Sequence, residues 1–213
     1  MFPWRISGSG ITFITTFRKE ICFVFGREKN KTKKVGYDLY EDFGGGIDRG
    51  ESLKEAAIRE CYEETCKTIK LKDISEKIIV SMKTYRYGIF FVRLPNNFFS
   101  KFNTTFNQNR KELERIGEDK HYLEIDNIKL VPIKNLIDRN KHNLIIKKGY
   151  YSKEMLSLDV ETMDKDRIIL GGRIAQLFYP DNNFNKDIIS IIEKLKIVNF
   201  NENVKNNIKT FTQ

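Results

Sequence analysis

Short apolar runs that alternate with polar breaks occupy the first third of the chain, and a helical spacing follows them. Residues 11–16 (ITFITT) and 21–25 (ICFVF) are rich in β-branched and aromatic side chains, and Phe17-Arg18-Lys19-Glu20 between them predicts a hairpin. Gly26-Arg27-Glu28 ends it, and the charged KNKTKKVGYD reads as a loop. Residues 38–43 (DLYEDF) predict a short strand that delivers the chain to a turn bracketed by Gly44-Gly45-Gly46 and Gly50, where residues without Cβ let backbone approach a ligand or take positive φ. Ser52-Leu53-Lys54-Glu55 is a capping box, in which the serine hydroxyl takes an orphan backbone N–H and the glutamate reaches back. A helix therefore starts there, and its good helix formers carry it to about Thr65.

Residues 77–82 and 85–94 read as strands, the second with Gly88 at a bulge. The stretch 95–121 is too long for a hairpin connection and is expected to be helical near 109–115 (NRKELER). Residues 122–132 lead into a further strand, with a short helix around 133–137. Gly171-Gly172-Arg173 opens a second short helical segment, IAQLF. In residues 184–198, Ile188, Ile191, Ile192 and Leu195 fall at helical spacing and predict an amphipathic helix. The Asn-rich tail 200–213 is expected to be loose. Tyr40 reads as a core aromatic, with a shelf for a base as the alternative.

At 213 residues, 40% hydrophobic and 31% charged, the chain suits one globular domain with insertions rather than a disordered or membrane-spanning protein. No apolar run is long enough for a bilayer, and MFPWRISGSG lacks the basic start and apolar core of a signal peptide, so a cytoplasmic location is expected. Three cysteines, an odd number, argue against a disulfide framework, and all three read as reduced and structural. The net charge of +9 favours polyanionic partners, RNA among them. Lysine is spread along the chain, so a solvated basic face explains the same number.

The chemistry concentrates between residues 42 and 67. Around a helix at roughly 100° per residue, Leu53, Ala56, Ala57 and Cys61 define an apolar arc. Glu60 and Glu64, four apart, project from the middle of that arc, with Glu63 and Arg59 at its margin. Carboxylates on an inward face cost several kcal/mol each, in the range of about 3–5, if left ionised and unpaired. One Arg59 does not neutralise three glutamates. A divalent cation does, and an all-oxygen donor set with no His or Cys at ligand spacing suits Mg²⁺ or Mn²⁺ better than Zn²⁺. A Glu-rich solvated helix is the bland alternative.

Gly45, five residues, Glu51, seven residues, then Arg59-Glu60-Cys61-Tyr62-Glu63-Glu64 resembles the Nudix box. Three positions depart from that pattern: Cys61 stands for an aliphatic residue, and Cys66-Lys67 stand where the family has Gly and an aliphatic residue. Phe43 occupies the place of a common Pro, and none of these changes removes a carboxylate. The resemblance implies an α/β fold, specifically an α/β/α sandwich with a mixed β-sheet. It implies one Nudix domain over residues 1–199 (box 45–67, insertions about 95–121 and 138–179). It also implies hydrolysis of a diphosphate bond in a nucleoside diphosphate linked to another group.

By family analogy Glu60, Glu63, Glu64 and the Gly44 carbonyl are the expected metal ligands. Arg59 is expected to orient a glutamate, and Glu51 and Gly45 to hold the loop and helix start. A Glu ahead of the strand near Leu130 completes such a site or acts as base, and Glu124 matches best by position, with Glu118 second. Arg27 and Tyr85 correspond to substrate-contacting positions, against the ordinary readings of a strand-end Arg and a packing Tyr. Residues 140–154 (NKHNLIIKKGYYSKE) mix bases with aromatics, as nucleobase and phosphate contacts require, and equally describe an exposed hairpin.

Expected substrates are nucleotides or polyphosphates: the 5′ cap of mRNA, a dinucleoside polyphosphate or a diphosphoinositol polyphosphate, with ADP-ribose and oxidised nucleoside triphosphates also fitting. A non-catalytic Nudix-fold nucleotide- or RNA-binding module is the competing class. Loss of the glutamates would mark it, and here all are present.

Overall fold

The β1–β2 hairpin (Gly8–Phe17 and Glu20–Glu28) forms where the sequence predicts it, and it turns through Arg18 and Lys19, both at positive φ (48° and 67°). Two positive-φ residues are what a tight primed hairpin turn demands. The computed structural model describes residues 6–29, 38–70, 78–83, 87–96, 98–137, 142–148, 154–175 and 177. The expected helix over 184–198, the tail after residue 199 and Tyr85 lie outside them.

The segment expected as a single short strand is two strands with a break at Asp42: β3 (Leu39–Glu41) and β4 (Phe43–Gly46). Helix α1 (Leu53–Glu64) follows, then β5 (Ile78–Lys83) and β6 (Tyr87–Arg93). Helix α2 (Phe98–Ile116), a 3-10 turn (Lys120–Leu123), β7 (Ile125–Pro132) and α3 (Ile133–Ile137) come next. The chain continues through β8 (His142–Lys148), β9 (Glu154–Glu161), β10 (Arg167–Leu170) and the one-turn α4 (Gly172–Ala175).

The strands form one mixed sheet in the order β5-β6-β1-β2-β3-β10-β9-β8, with β4 branching from β1 and β7 from β2. The β1–β6 and β3–β10 pairs are parallel and the rest antiparallel. Alternation along each strand sends side chains to opposite faces. On one face Ile11, Phe13, Cys22 and Val24 pack with Ala57 and Cys61 of α1 and with Phe102, Phe106 and Leu113 of α2. On the other, Ile14, Phe23 and Phe25 pack with Ile133, Leu136 and Ile137 of α3 and Ile174 and Ala175 of α4. Helices thus cover both faces of the mixed sheet, the α/β/α arrangement that the box implies.

Two expectations are corrected. Gly44, Gly45 and Gly46 are extended strand paired with Gly10, Ser9 and Gly8, and the positive φ (93°) falls on Gly50 alone among the box glycines. Gly88 sits in regular pairing with Ser9 and Lys83, and the irregularity between β5 and β6 lies between Ile78 and Val80. The helix expected near 109–115 is there, but it begins eleven residues earlier at Phe98 because Phe98, Phe102 and Phe106, four apart, seal its first half against the sheet.

Candidate active site

The site is assembled where the end of β2, strand β4 and the C-terminal half of α1 converge. Helix α1 begins as its capping box dictates: the Glu55 N–H donates to Ser52 Oγ at 3.2 Å and the Ser52 N–H to Glu55 Oε2 at 2.9 Å. It ends in a full Schellman arrangement, with the Cys66 N–H on Glu63 O and the Lys67 N–H on Tyr62 O, both 2.9 Å. Cys66 and Lys67 hold the left-handed conformation (φ 51° and 59°) at the position where the box has Gly. Their side chains are engaged there: Cys66 Sγ bonds Tyr122 O at 3.1 Å, and Lys67 Nζ bonds Glu118 at 2.7 Å while lying over the Tyr122 ring. The departure from the box changes the residues and keeps the helix stop.

Within this frame Glu64 is buried (3% exposed), and its Oε2 accepts the Gly44 N–H at 2.6 Å. Burial raises its carboxyl well above the ordinary range; Arg173 opposes this, and the charges of Glu28, Asp42 and Glu60 add to it. Glu60 lies directly over Gly45, so that a Cβ there would meet its carboxylate at 2.6 Å. Arg59 Nη1 reaches Glu60 Oε1 at 2.9 Å and Glu63 Oε2 at 3.4 Å. Its other edge makes a bidentate pair with Glu51 (2.8 and 3.0 Å) and bonds Gly46 O at 3.0 Å. That pairing holds the Glu51 carboxyl below its usual range. Glu51 also accepts the Asp48 N–H, so Arg59 and Glu51 together pin the loop between β4 and α1.

Glu63 and Glu124 complete the rim. Burial pushes both carboxyls up, aided by the Glu60 charge at Glu63 and by Glu28 and Glu60 at Glu124. Glu124 stands 3.3 Å from His121 Nδ1, at the end of the 3-10 turn. Glu118, the second candidate, is instead paired with Lys67 beyond the helix end. Arg27 is committed to Asp126 (2.7 and 3.2 Å) and Asp38 (2.8 Å), a clamp between β2, β7 and the start of β3. Among the described residues, no three acidic, histidine or cysteine side chains stand at metal-holding distances as they are arranged here.

Sequence reasoning missed Glu28, Glu41, Asp42, Tyr87 and Arg173. Glu28 (8% exposed) extends the alternation of Cys22 and Val24 on the α1 face, a signal lost by ending the strand at Phe25. Arg173 carries no local signal. Its Nη1 donates to the Gly44 carbonyl, expected as a ligand, and to Tyr87 Oη at 3.0 Å, and its Nη2 pairs with Glu41 at 2.6 Å. The Tyr87 hydroxyl in turn donates to Asp42 Oδ2 at 3.0 Å.

A family model described as NUDIX domain matches residues 7–150, and the chain belongs to that family, the Nudix hydrolases. No curated protein matches it. Solved structures similar to it include a Caenorhabditis elegans Ap4A hydrolase binary complex (16% identity, 62% of this chain and 83% of that one, TM-score 0.38). A MutT/nudix family protein from Enterococcus faecalis is similar over 92% of this chain and 69% of its own (8% identity, TM-score 0.43). One from Listeria innocua matches at 16% identity over 62% and 79% (TM-score 0.34).

Proposed function

We propose that the chain is a divalent-metal-dependent hydrolase of a diphosphate linkage in a nucleoside-diphosphate-linked substrate. The observation that carries this reading is the placement of Glu64 on the Gly44 N–H and of Glu60 over Gly45, with burial first, and then the charges of Glu28 and Glu60, raising the Glu64 and Glu124 carboxyls in a site where Arg59 is already engaged by Glu51. Like charges gathered under partial burial are destabilising unless a cation joins them. The donor set fits Mg²⁺ or Mn²⁺, being oxygen throughout, and Gly45 leaves the space that the Glu60 carboxylate fills. Glu60, Glu63 and Glu64 would hold the ion.

A bound divalent ion supplies charge neutralisation of the diphosphate and lowers the pKa of water. The chain's own residues do the rest. Arg59 orients Glu60 and Glu63, and the Gly44 N–H orients Glu64. Glu124, a stronger base than an ordinary carboxylate because burial raises its carboxyl, would in its ionised form take a proton from the attacking water or else complete the metal site.

For the linked group, the +9 charge supports a capped RNA 5′ end, and the same charge suits a dinucleoside or diphosphoinositol polyphosphate. Incubation with cap-labelled RNA, diadenosine polyphosphates, ADP-ribose, diphosphoinositol phosphates and nucleoside triphosphates, with Mg²⁺ or Mn²⁺ and with chelator, tests the reading. Metal-dependent release of a nucleoside monophosphate or diphosphate is expected from at least one. Silence across the panel with metal bound would favour a binding module.

A further inference from the structure

Arg173 lies beyond residue 150, where the family match ends, yet its guanidinium enters the candidate site from the far side of the sheet. Strand β10 pairs in parallel with β3 (Ile169 with Leu39, Leu170 with Tyr40), and the Gly171 N–H extends that ladder to Tyr40 O at 2.9 Å. The backbone that presents Arg173 is thus hydrogen-bonded to the strand that runs directly into Gly44. Gly171 is required at the crossing, since a Cβ there would run into the Glu41 side chain, 2.7 Å from its Cγ.

The guanidinium is engaged through both terminal nitrogens, while its Nε makes no hydrogen bond and faces Asp42 as an ion pair. Nη1 donates to the Gly44 carbonyl and to Tyr87 Oη, Nη2 pairs with Glu41 Oε2 at 2.6 Å, and Nε stands 3.4 Å from Asp42 Oδ1. Asp42 is fully buried and Glu41 nearly so (4% exposed). Gly44 is held at both ends, its N–H by Glu64 and its carbonyl by Arg173. A Cβ at Gly44 would strike Tyr87 Oη and Gly10 Cα, so the close approach of strand and clamp depends on a glycine there. A lysine in place of Arg173 would bring one point charge and could not span Gly44, Tyr87 and Glu41 together.

We propose that Arg173 is a positioning residue of the active site: the segment after the matched domain supplies a guanidinium that locks Gly44 and thereby aims the Glu64 carboxylate. Its catalytic consequence rests on the hydrolase reading above, whereas the clamp itself is tested without turnover. Arg173→Met and Arg173→Lys are compared with the parent by amide hydrogen exchange over residues 42–50 and by steady-state kinetics on whichever substrate the parent hydrolyses.

Exchange at Gly44–Gly46 is expected to accelerate about tenfold in both variants while β1 and β2 stay protected, as a local opening requires. Turnover should fall about 10²-fold with KM within about twofold, because a misplaced carboxylate costs the chemical step and not substrate binding. Parental exchange and kcat in Arg173→Lys would overturn the proposal, and so would loss of protection spread evenly over the whole sheet. If Arg173→Met does not fold, the lysine variant decides by the same criteria. If the parent hydrolyses nothing, the exchange still decides the clamp, and the hydrolase reading alone fails.

Discussion

Glu64 carries the sharpest consequence of any single residue. Its carboxyl is buried and raised well above the ordinary range, so in chelator the folded chain keeps a proton that the unfolded chain releases near its usual pKa. Between those two values the folded state binds more protons, and stability therefore falls as pH rises through that window. Glu64→Gln removes the titration. In chelator the variant is expected to lose that slope and to melt above the parent at the alkaline end, while hydrolysis with metal drops by at least about 10²-fold. A parent whose thermal midpoint is flat with pH, or a variant that retains turnover, would remove Glu64 from the metal-ligand assignment.

Gly45→Ala probes the neighbouring contact. Its Cβ would meet the Glu60 carboxylate at 2.6 Å, displacing the acid from strand β4. The carboxylate is the far end of a flexible side chain and can swing aside, so the denaturant midpoint is expected to shift little while activity falls at least about tenfold through the misplaced acid. The residues legible in the sequence are those that the box spaces along one helix, Arg59, Glu60, Glu63 and Glu64, because a fixed helical period converts sequence distance into a shared face; Glu51, in the loop before the cap, was legible only from the box. Arg173 was not legible, because its meeting with Gly44 depends on how a late strand registers against β3.

At the scale of elements, α1 shows why local rules succeed. Cap and run are written within residues 52–65, and the capping box and the helix appear where these residues put them, whereas the Schellman end forms on Cys66 and Lys67 without the glycine that would have announced it. Ser52→Ala should therefore cost about 1 kcal/mol in urea midpoint, the usual worth of a hydroxyl cap, with kcat little changed. A loss of activity without loss of stability would mean that the cap aims the glutamates as well as starting the helix.

Strand β4 shows the opposite case. Three consecutive glycines read as a turn, since glycine is the residue of positive φ, yet Gly44 and Gly45 serve close approach: Tyr87 Oη and Gly10 Cα crowd the first and the Glu60 carboxylate the second. Crowding is a property of what packs against a strand, so no local pattern reveals it. The first half of α2 differs from β4, because its Phe98, Phe102 and Phe106 fall four apart, an aromatic spacing that was available to be read, with Phe102 edge-on to Phe13 and packed against the other two.

Across the whole molecule, the chain adds to the matched domain a strand pair and a one-turn helix that extend the sheet past β3 and reach into the site. The +9 charge belongs to this scale, since no single block of lysines carries it. No helix among the described residues is long and apolar enough to cross a membrane.

Two explanations of the charge differ in their response to salt. If it tracks the backbone of a capped RNA, each phosphate contact releases counterions, and four contacts give a slope near −3 in log affinity against log salt. Raising salt from 50 to 200 mM should then raise KM for cap-labelled RNA about sixtyfold. A diadenosine polyphosphate meets only the few charges at the site itself, and its KM should rise far less. Steady-state kinetics on both substrates across that range separate the two. Parallel, shallow dependences would mean that the lysines only keep a basic surface solvated, and the RNA arm of the proposed function would fall while the carboxylate site, whose groups are buried or half-buried and so screened less, would stand.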